Sequence, residues 1–149
     1  MGSYEYYPLE TGETALLPQE TELVINTRSG HALLIDWERR VVGAEMYFAP
    51  FELPLIQILL HAWPSYVEYS KCIRTLIPDP RLAEQFVQCI GAALETQNKL
   101  VLNVALEPLR TVLYGCNERL NVIGLEIAAV YESGYLLTKR HERDNQEHE

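Results

Sequence analysis

The sequence predicts one α+β domain in which an antiparallel sheet comes first, helices follow, and a β-hairpin ends the fold. Short runs rich in Val, Ile, Leu and Tyr fill residues 22–48, separated by Ser-Gly and charged corners that favour turns. From residue 50 to residue 120, apolar side chains recur with helical spacing. Residues 125–138 return to β-type sequence around a Glu-Ser-Gly turn. A chain of 149 residues suits one well-packed core, so we expect a single domain over residues 21–138.

The N-terminal β-rich part divides into four short strands in series, as expected for an antiparallel meander. The predicted strands are Glu22–Asn26, His31–Asp36, Arg39–Val42 and Glu45–Phe48. Turns are expected at residues 27–30 and near residues 36–38, with a break at Gly43.

Helical spacing marks four helices in the centre of the chain. They are predicted at Pro50–Ala62, Lys71–Ile77, Arg81–Thr96 and Glu107–Leu120. Pro50 and Pro108 suit first helical turns, and Ser70 is the expected N-cap of the second helix. A brief extended segment is expected at Tyr66–Glu68.

The two ends of the chain differ from its centre. Residues 1–20 lack a sustained hydrophobic period, so we expect a flexible N-terminal arm that docks through Tyr6 or Leu16. Residues 139–149 are mostly charged and are expected to form a disordered tail. The chain has 12 basic and 21 acidic side chains, a net charge of −9, and residues 21–138 keep nine bases against thirteen acids. Duplex DNA normally requires the opposite sign on at least one face of its partner.

Composition argues against a membrane protein, a secreted protein and a metal protein. The longest apolar stretch, Leu53–Trp63, is about half of a membrane span and is interrupted by polar residues. No basic region followed by an apolar run opens the chain, so we expect a cytoplasmic location. Cys72, Cys89 and Cys116 are odd in number, widely spaced and set among apolar residues. We expect reduced core cysteines, with no disulfide, metal or other cofactor.

Motifs of common enzyme classes are absent from the sequence. It contains no G-x-S-x-G, P-loop, G-x-G-x-x-G or H-E-x-x-H pattern. Carboxylates such as Glu118 and Glu126 have no spacing that marks an acid/base pair, and scattered surface positions explain them. We therefore predict no catalytic residue and no enzymatic activity.

Four local sequences resemble motifs of one regulatory family. Phe48–Glu52 (Phe-Ala-Pro-Phe-Glu) is similar to a Leu-Thr-Pro-x-Glu entry into the family's first helix. Ala62–Ser65 occupies the place of a His-Pro-Gly turn, and Leu109–Arg110 resembles the Leu-Arg pair of a recognition helix. Leu125–Leu137 resembles the family's closing hairpin, above all at its Gly-Tyr pair. Over residues 22–138 the chain thus resembles the OmpR/PhoB-type winged-helix effector domain, in a divergent form that no receiver domain precedes.

The resemblance implies a recognition helix at residues 107–120 and a wing at the terminal hairpin. Candidate donors to DNA base edges are Arg110, Arg119, Asn103 and Asn117, expected on one exposed surface. Lys71 and Arg74 are candidates for holding phosphates. The wing is expected at Tyr131, Glu132, Ser133 and Gly134.

The chain departs from the family where DNA would bind. Residues 101–108, before Arg110, contain no base, and the helix predicted at residues 81–96 is an insertion. Tyr131 stands where the family has a wing Arg, and Glu132 follows it. A carboxylate at a wing tip repels backbone phosphate.

Two functions are therefore weighed. The first is a DNA-binding transcriptional regulator of winged-helix type, whose partner is double-stranded DNA. The second is a winged-helix-like protein-interaction module, an adaptor or inhibitor whose acidic surface binds a basic protein or mimics nucleic acid. Either function is compatible with a homodimer.

Overall fold

The computed structural model describes residues 3–140 and has a mixed α+β architecture. The strands in that range are β1 (Tyr4–Tyr7), β2 (Glu10–Thr11), β3 (Thr14–Ala15), β4 (Thr21–Asn26), β5 (His31–Asp36), β6 (Val41–Tyr47), β7 (Val67–Glu68), β8 (Leu125–Val130) and β9 (Gly134–Lys139). The α-helices in that range are α1 (Leu53–Ala62), α2 (Tyr69–Leu76), α3 (Pro80–Glu95), α4 (Lys99–Ala105) and α5 (Glu107–Leu120). The predicted α+β class, with an N-terminal antiparallel sheet and a C-terminal hairpin, is confirmed.

The N-terminal sheet has the strand order β1-β4-β5-β6 and is antiparallel throughout. Strand β1 of this sheet comes from the segment predicted to be an arm. In this strand Tyr4 pairs with Asn26, and Tyr7 pairs with Leu23. This pairing joins residues far apart in sequence, and a strand of four residues is too short to show a hydrophobic period.

The rest of the predicted arm also packs on the domain. Strands β2 and β3 form a small hairpin, and Leu9, Leu16 and Leu17 beside them are buried. Leu16 docks as predicted, whereas Tyr6 is 57% exposed and Tyr7 is buried in its place. The structure therefore places residues 3–20 in the fold rather than in an arm.

Strand β6 is continuous where the sequence predicts two strands and a break. Leu34 pairs with Ala44 and Ile35 pairs with Val42, so Gly43 is the extra residue of a β-bulge. A bulge absorbs one residue without ending a strand.

The helices differ from their predictions mainly at their starts. Helix α1 begins at Leu53, which leaves Pro54 in the first turn, and Glu52 Oε1 accepts the Ala49 N–H at 2.8 Å just before it. Helix α2 begins at Tyr69, so Ser70 lies inside it and is not its N-cap. Helix α5 has its predicted bounds.

Helix α4 was not predicted. Asn98 caps it by accepting the Val101 N–H at 3.1 Å. Three of its apolar side chains, Leu100, Val101 and Val104, are exposed, so they do not form a buried stripe.

The C-terminal sheet joins the hairpin to the helices. Its order is β7-β9-β8, and β7 lies between α1 and α2 in the chain. Gly134 pairs with Glu68, and a Cβ at position 134 would lie 1.9 Å from the Val67 carbonyl oxygen. One core lies between the two sheets and the helices, and its fully buried members include Leu23, Phe48, Leu55, Leu109 and Leu125.

The predictions for the chain ends and for the cysteines agree with the structure only in part. Strand β9 extends to Lys139, into the predicted tail, and residues 141–149 of that tail lie outside the described residues. Cys72 and Cys116 are buried as predicted, whereas Cys89 is exposed and is not a core residue. Among residues 3–140, no helix combines the length and apolar character that a membrane span requires.

Candidate functional site

The candidate surface is the outer face of helix α5 with the neighbouring hairpin turn. Helix α5 packs on β8 and buries Leu109, Leu113, Cys116 and Leu120. Its opposite face is exposed and has the spacing of a solvent-facing helix stripe: Glu107, Arg110, Thr111, Tyr114 and Glu118.

Arg110 and Asn103, two predicted site residues, meet at the start of this face. The Arg110 guanidinium donates from Nη1 to Asn103 Oδ1 at 3.2 Å and from Nη2 to the Asn103 backbone carbonyl at 2.9 Å. Both side chains are exposed, so this contact braces α4 against α5 and leaves the guanidinium open to solvent on its other side.

Arg119 does not belong to this surface, contrary to the prediction. It donates from Nε to the Tyr47 carbonyl and from Nη1 to the Gly115 carbonyl at 2.6 Å. Its Nη1 also lies 3.3 Å from Oε2 of Glu52, a carboxylate that is 3% exposed. A buried carboxylate requires a partner, so Arg119 joins α5 to the N-terminal sheet and to α1.

Asn117 is likewise used inside the fold. Its Oδ1 accepts the Ile127 N–H at 2.6 Å, and its Nδ2 donates to the Ile127 carbonyl at 3.4 Å. The side-chain amide thus replaces a neighbouring strand along this part of β8. The predicted single surface of four donors is reduced to Arg110 and Asn103.

Lys71 and Arg74 lie on the exposed side of α2. Arg74 Nη2 is 3.2 Å from Glu84 Oε1 of α3, so half of this candidate phosphate site is already paired. Lys71 is exposed and forms no ion pair within residues 3–140.

The hairpin turn is tight and anchored at its base. Glu132 has φ +57, and Ser133 Oγ donates to the Tyr131 carbonyl at 3.2 Å. The Ser133 carbonyl accepts the Tyr69 N–H at 3.2 Å, which attaches the turn to the start of α2. A hydrogen bond to the Glu132 carboxylate raises the pKa of the exposed Tyr131 phenol.

Charge on the candidate surface is mixed, with acids in excess. The α5 face and the turn present Glu107, Glu118 and Glu132 against Arg110. Burial raises the pKa of Tyr135 in β9 to about 12, while the nearby Arg110 guanidinium acts in the opposite direction. Arg110 and Tyr135 are therefore near enough to interact electrostatically.

A second polar cluster, which the sequence analysis missed, joins β1 to α1. The Tyr7 hydroxyl donates to Glu5 and lies 2.9 Å from His61 Nε2, while Gln57 Nε2 donates to Glu5 Oε1 at 3.3 Å. The Tyr7 hydrogen bond is the largest cause lowering the pKa of Glu5, which burial opposes. Burial and Glu5 together raise the pKa of Tyr7. The sequence does not reveal this cluster, because Glu5 and Tyr7 reach α1 only when β1 pairs with β4, and that pairing joins residues distant in sequence.

Among residues 3–140, no three His, Cys, Asp or Glu side chains are grouped so that they could hold a metal ion. Comparison of the chain with protein-family models, curated proteins and solved structures finds no match.

Proposed function

We propose that the chain is a winged-helix DNA-binding regulator, in which the outer face of α5 meets the DNA and the hairpin turn flanks it. The pairing of β7 with β9 carries the proposal, because it joins the hairpin to the helices while α5 packs on β8. Arg110, in the first turns of α5, is near enough to Tyr135, the second residue of β9, to interact with it electrostatically. A recognition helix and a wing require this arrangement.

The residue roles follow from exposure and from existing bonds. Arg110, with Thr111 beside it in the first turns of α5, is the proposed contact to base edges. Lys71 is the proposed phosphate contact, and Arg74 can join it by exchanging Glu84 for a phosphate. Arg119 and Asn117 are assigned to the fold. The proposal involves binding and no catalysis.

The test is fluorescence anisotropy with a pool of labelled duplexes at two salt concentrations. Arg110→Ala should weaken specific binding by about 1–3 kcal/mol. Affinity should also fall with added salt, with a shallow slope because few phosphates are contacted. Arg28→Ala is the matched control, since it removes the same charge from an exposed turn of the N-terminal sheet. Absence of DNA binding at low salt would reject this function.

A second candidate function rests on the acids of the same surface. Glu107, Glu118 and Glu132 outnumber Arg110 there, which suits a basic protein segment better than a phosphate backbone. A labelled Lys/Arg-rich peptide tests it directly. Glu132→Arg should weaken peptide binding and strengthen DNA binding, so the direction of its effect separates the two functions. Glu38→Arg, an exposed acid in the turn before β6, controls for net charge.

A further inference from the structure

A cavity of about 450 Å³ lies where β5 turns into β6. Ile35 and Val42 are paired across the two strands, and both line it, so the cavity lies against the start of β6. Arg119 of α5 contacts the opposite end of β6, so the proposed DNA surface does not use this site. The complete lining is Ile35, Trp37, Arg40, Val41 and Val42.

The walls of the cavity are apolar and open to solvent. Trp37 is 47% exposed, Val41 50% and Val42 54%. The indole is held in place, because its Nε1 donates to Glu22 Oε1 at 2.9 Å and the Trp37 backbone N–H donates to the Glu20 carbonyl at 2.8 Å. Such an open site can receive one apolar side chain, but it does not enclose a free small molecule, which binding pockets usually bury for the most part.

Arg40 is the charged residue of the lining, and it forms no ion pair within residues 3–140. The other base of the turn is occupied, since Arg39 Nε lies 3.8 Å from Asp36 Oδ2 and the Arg39 N–H donates to Asp36 Oδ1 at 3.1 Å. Glu38 is exposed to solvent and does not line the cavity. Arg40 also has φ +60, where Gly or Asn is the ordinary residue, so turn geometry does not explain an arginine there.

Strand β6 is an edge strand. It is the last member of the order β1-β4-β5-β6, so one of its sides has no partner strand in the described part of the chain. The free backbone groups of an edge are a template for a further extended segment. The bulge at Gly43 interrupts regular pairing after Val41 and Val42, so the regular stretch of this edge is short and lies beside the cavity.

We propose that the start of β6 binds the C-terminal end of a partner polypeptide, which adds as an antiparallel strand. Its last side chain, an apolar one, occupies the cavity, and its terminal carboxylate lies beside Arg40. Charge sets the direction: β6 runs away from Arg40, so an antiparallel strand runs toward it and ends there with a carboxylate. A parallel strand that began there would bring an ammonium group to Arg40, which repels it.

The experiment uses the full chain and hexapeptides of alternating Thr and Val that end in Val and carry a fluorescent label at the N-terminus. One peptide has a free C-terminal carboxylate, and its twin ends in an amide. The carboxylate peptide should bind saturably in fluorescence anisotropy. The amide twin should bind about fivefold more weakly, because it cannot form the ion pair with Arg40. No binding of the carboxylate peptide, or equal binding of the twins, would overturn the proposal.

Two matched pairs of variants locate the site. Arg40→Asn suits the left-handed backbone and should weaken the carboxylate peptide to the level of its twin, whereas Arg39→Asn, one position away, should change neither. Val42→Asp should lower affinity more than about tenfold, because it places a second carboxylate in the cavity. Val122→Asp is its control, since Val122 is 64% exposed and does not line the cavity. Equal losses within either pair would place the peptide elsewhere.

Backbone methylation separates a bound strand from a bound acid. Alternate amides of a strand face its neighbour, so an N-methyl group on one of the last two peptide amides should lower affinity about fivefold, and on the other it should have little effect. Equal affinity of both methylated peptides and the parent would make the ligand a simple apolar acid and overturn the strand assignment. A dimer in sedimentation that Val42→Asp abolishes would also overturn it, because the β6 edge would then be held by a second copy.

Discussion

The two ends of helix α5 use arginine in opposite ways. Arg110, near its start, spans two exposed helices and keeps one side of its guanidinium in solvent. Arg119, near its end, donates to two backbone carbonyls and faces the buried carboxylate of Glu52. The same type of side chain is therefore open to solvent at one end and part of the fold at the other, and what packs beside each end decides which.

The largest expected effect comes from removing the arginine at the buried end. Arg119→Met should lower the free energy of unfolding by about 3 kcal/mol, because it leaves Glu52 buried without its cationic partner. Urea denaturation measures this loss. Arg110→Ala, as the matched change at the exposed end, should cost less than about 1 kcal/mol. Equal losses would erase the distinction between the two ends.

Asn117 sharpens the comparison between the two ends of α5. Asn117→Leu should destabilise the protein by about 2 kcal/mol, since the backbone N–H and carbonyl of the buried Ile127 lose their partners. Asn103→Leu, its counterpart at the exposed end, should cost only a few tenths of a kcal/mol. Hydrogen exchange at the Ile127 amide gives an independent readout, and it should speed up only in the Asn117 variant.

Arg110→Ala and Arg119→Lys together separate binding from folding. The first should change DNA affinity with little change in stability. Arg119→Lys keeps the charge beside Glu52 but loses one of the two carbonyl contacts, so we expect a loss of about 1 kcal/mol in stability and none in binding. Anisotropy and denaturation on both variants test this, and a binding defect in Arg119→Lys would return that residue to the proposed DNA surface.

The smallest expected effect concerns the other link between the N-terminal sheet and α1. The pKa of Glu5 is lowered, chiefly by the Tyr7 hydroxyl, so this carboxylate contributes stability at pH values above its unfolded pKa. That contribution is lost as the pH falls through the folded pKa. Tyr7→Phe should therefore cost less than about 1 kcal/mol near pH 7, given how exposed Glu5 is, and still less near pH 3. A cost that grows toward low pH would contradict the assignment.

The sequence predicted best those elements whose signals are local. The bounds of α5 follow from Pro108 and a clear apolar stripe, and the hairpin follows from alternation around residues 132–134. Strand β1 was missed because only its pairing with β4 makes it a strand. Helix α4 was missed because its apolar residues face outward.

The candidate site was predicted only in part, because some of its residues are positioned by partners that are distant in sequence. Helical spacing places Arg110 on the outer face of α5. It cannot show that Glu52, far earlier in the chain, lies beside Arg119 at the other end of the helix. Nor can it show that the Asn117 amide matches the backbone of Ile127. Exposure of a polar residue depends on tertiary partners, whereas its helical phase depends on neighbours in sequence.

The close approach of β7 to Gly134 limits which substitutions the hairpin tolerates. A methyl group at position 134 would meet the Val67 carbonyl, which is backbone and cannot rotate aside. Tyr131, three positions earlier, is exposed and meets no such limit, whereas Glu132 is exposed but has a left-handed backbone (φ +57) that disfavours β-branched replacements. Substitution can thus change the side chain at the tip of the hairpin while Gly134 has to be kept, so the frame that presents the tip is preserved.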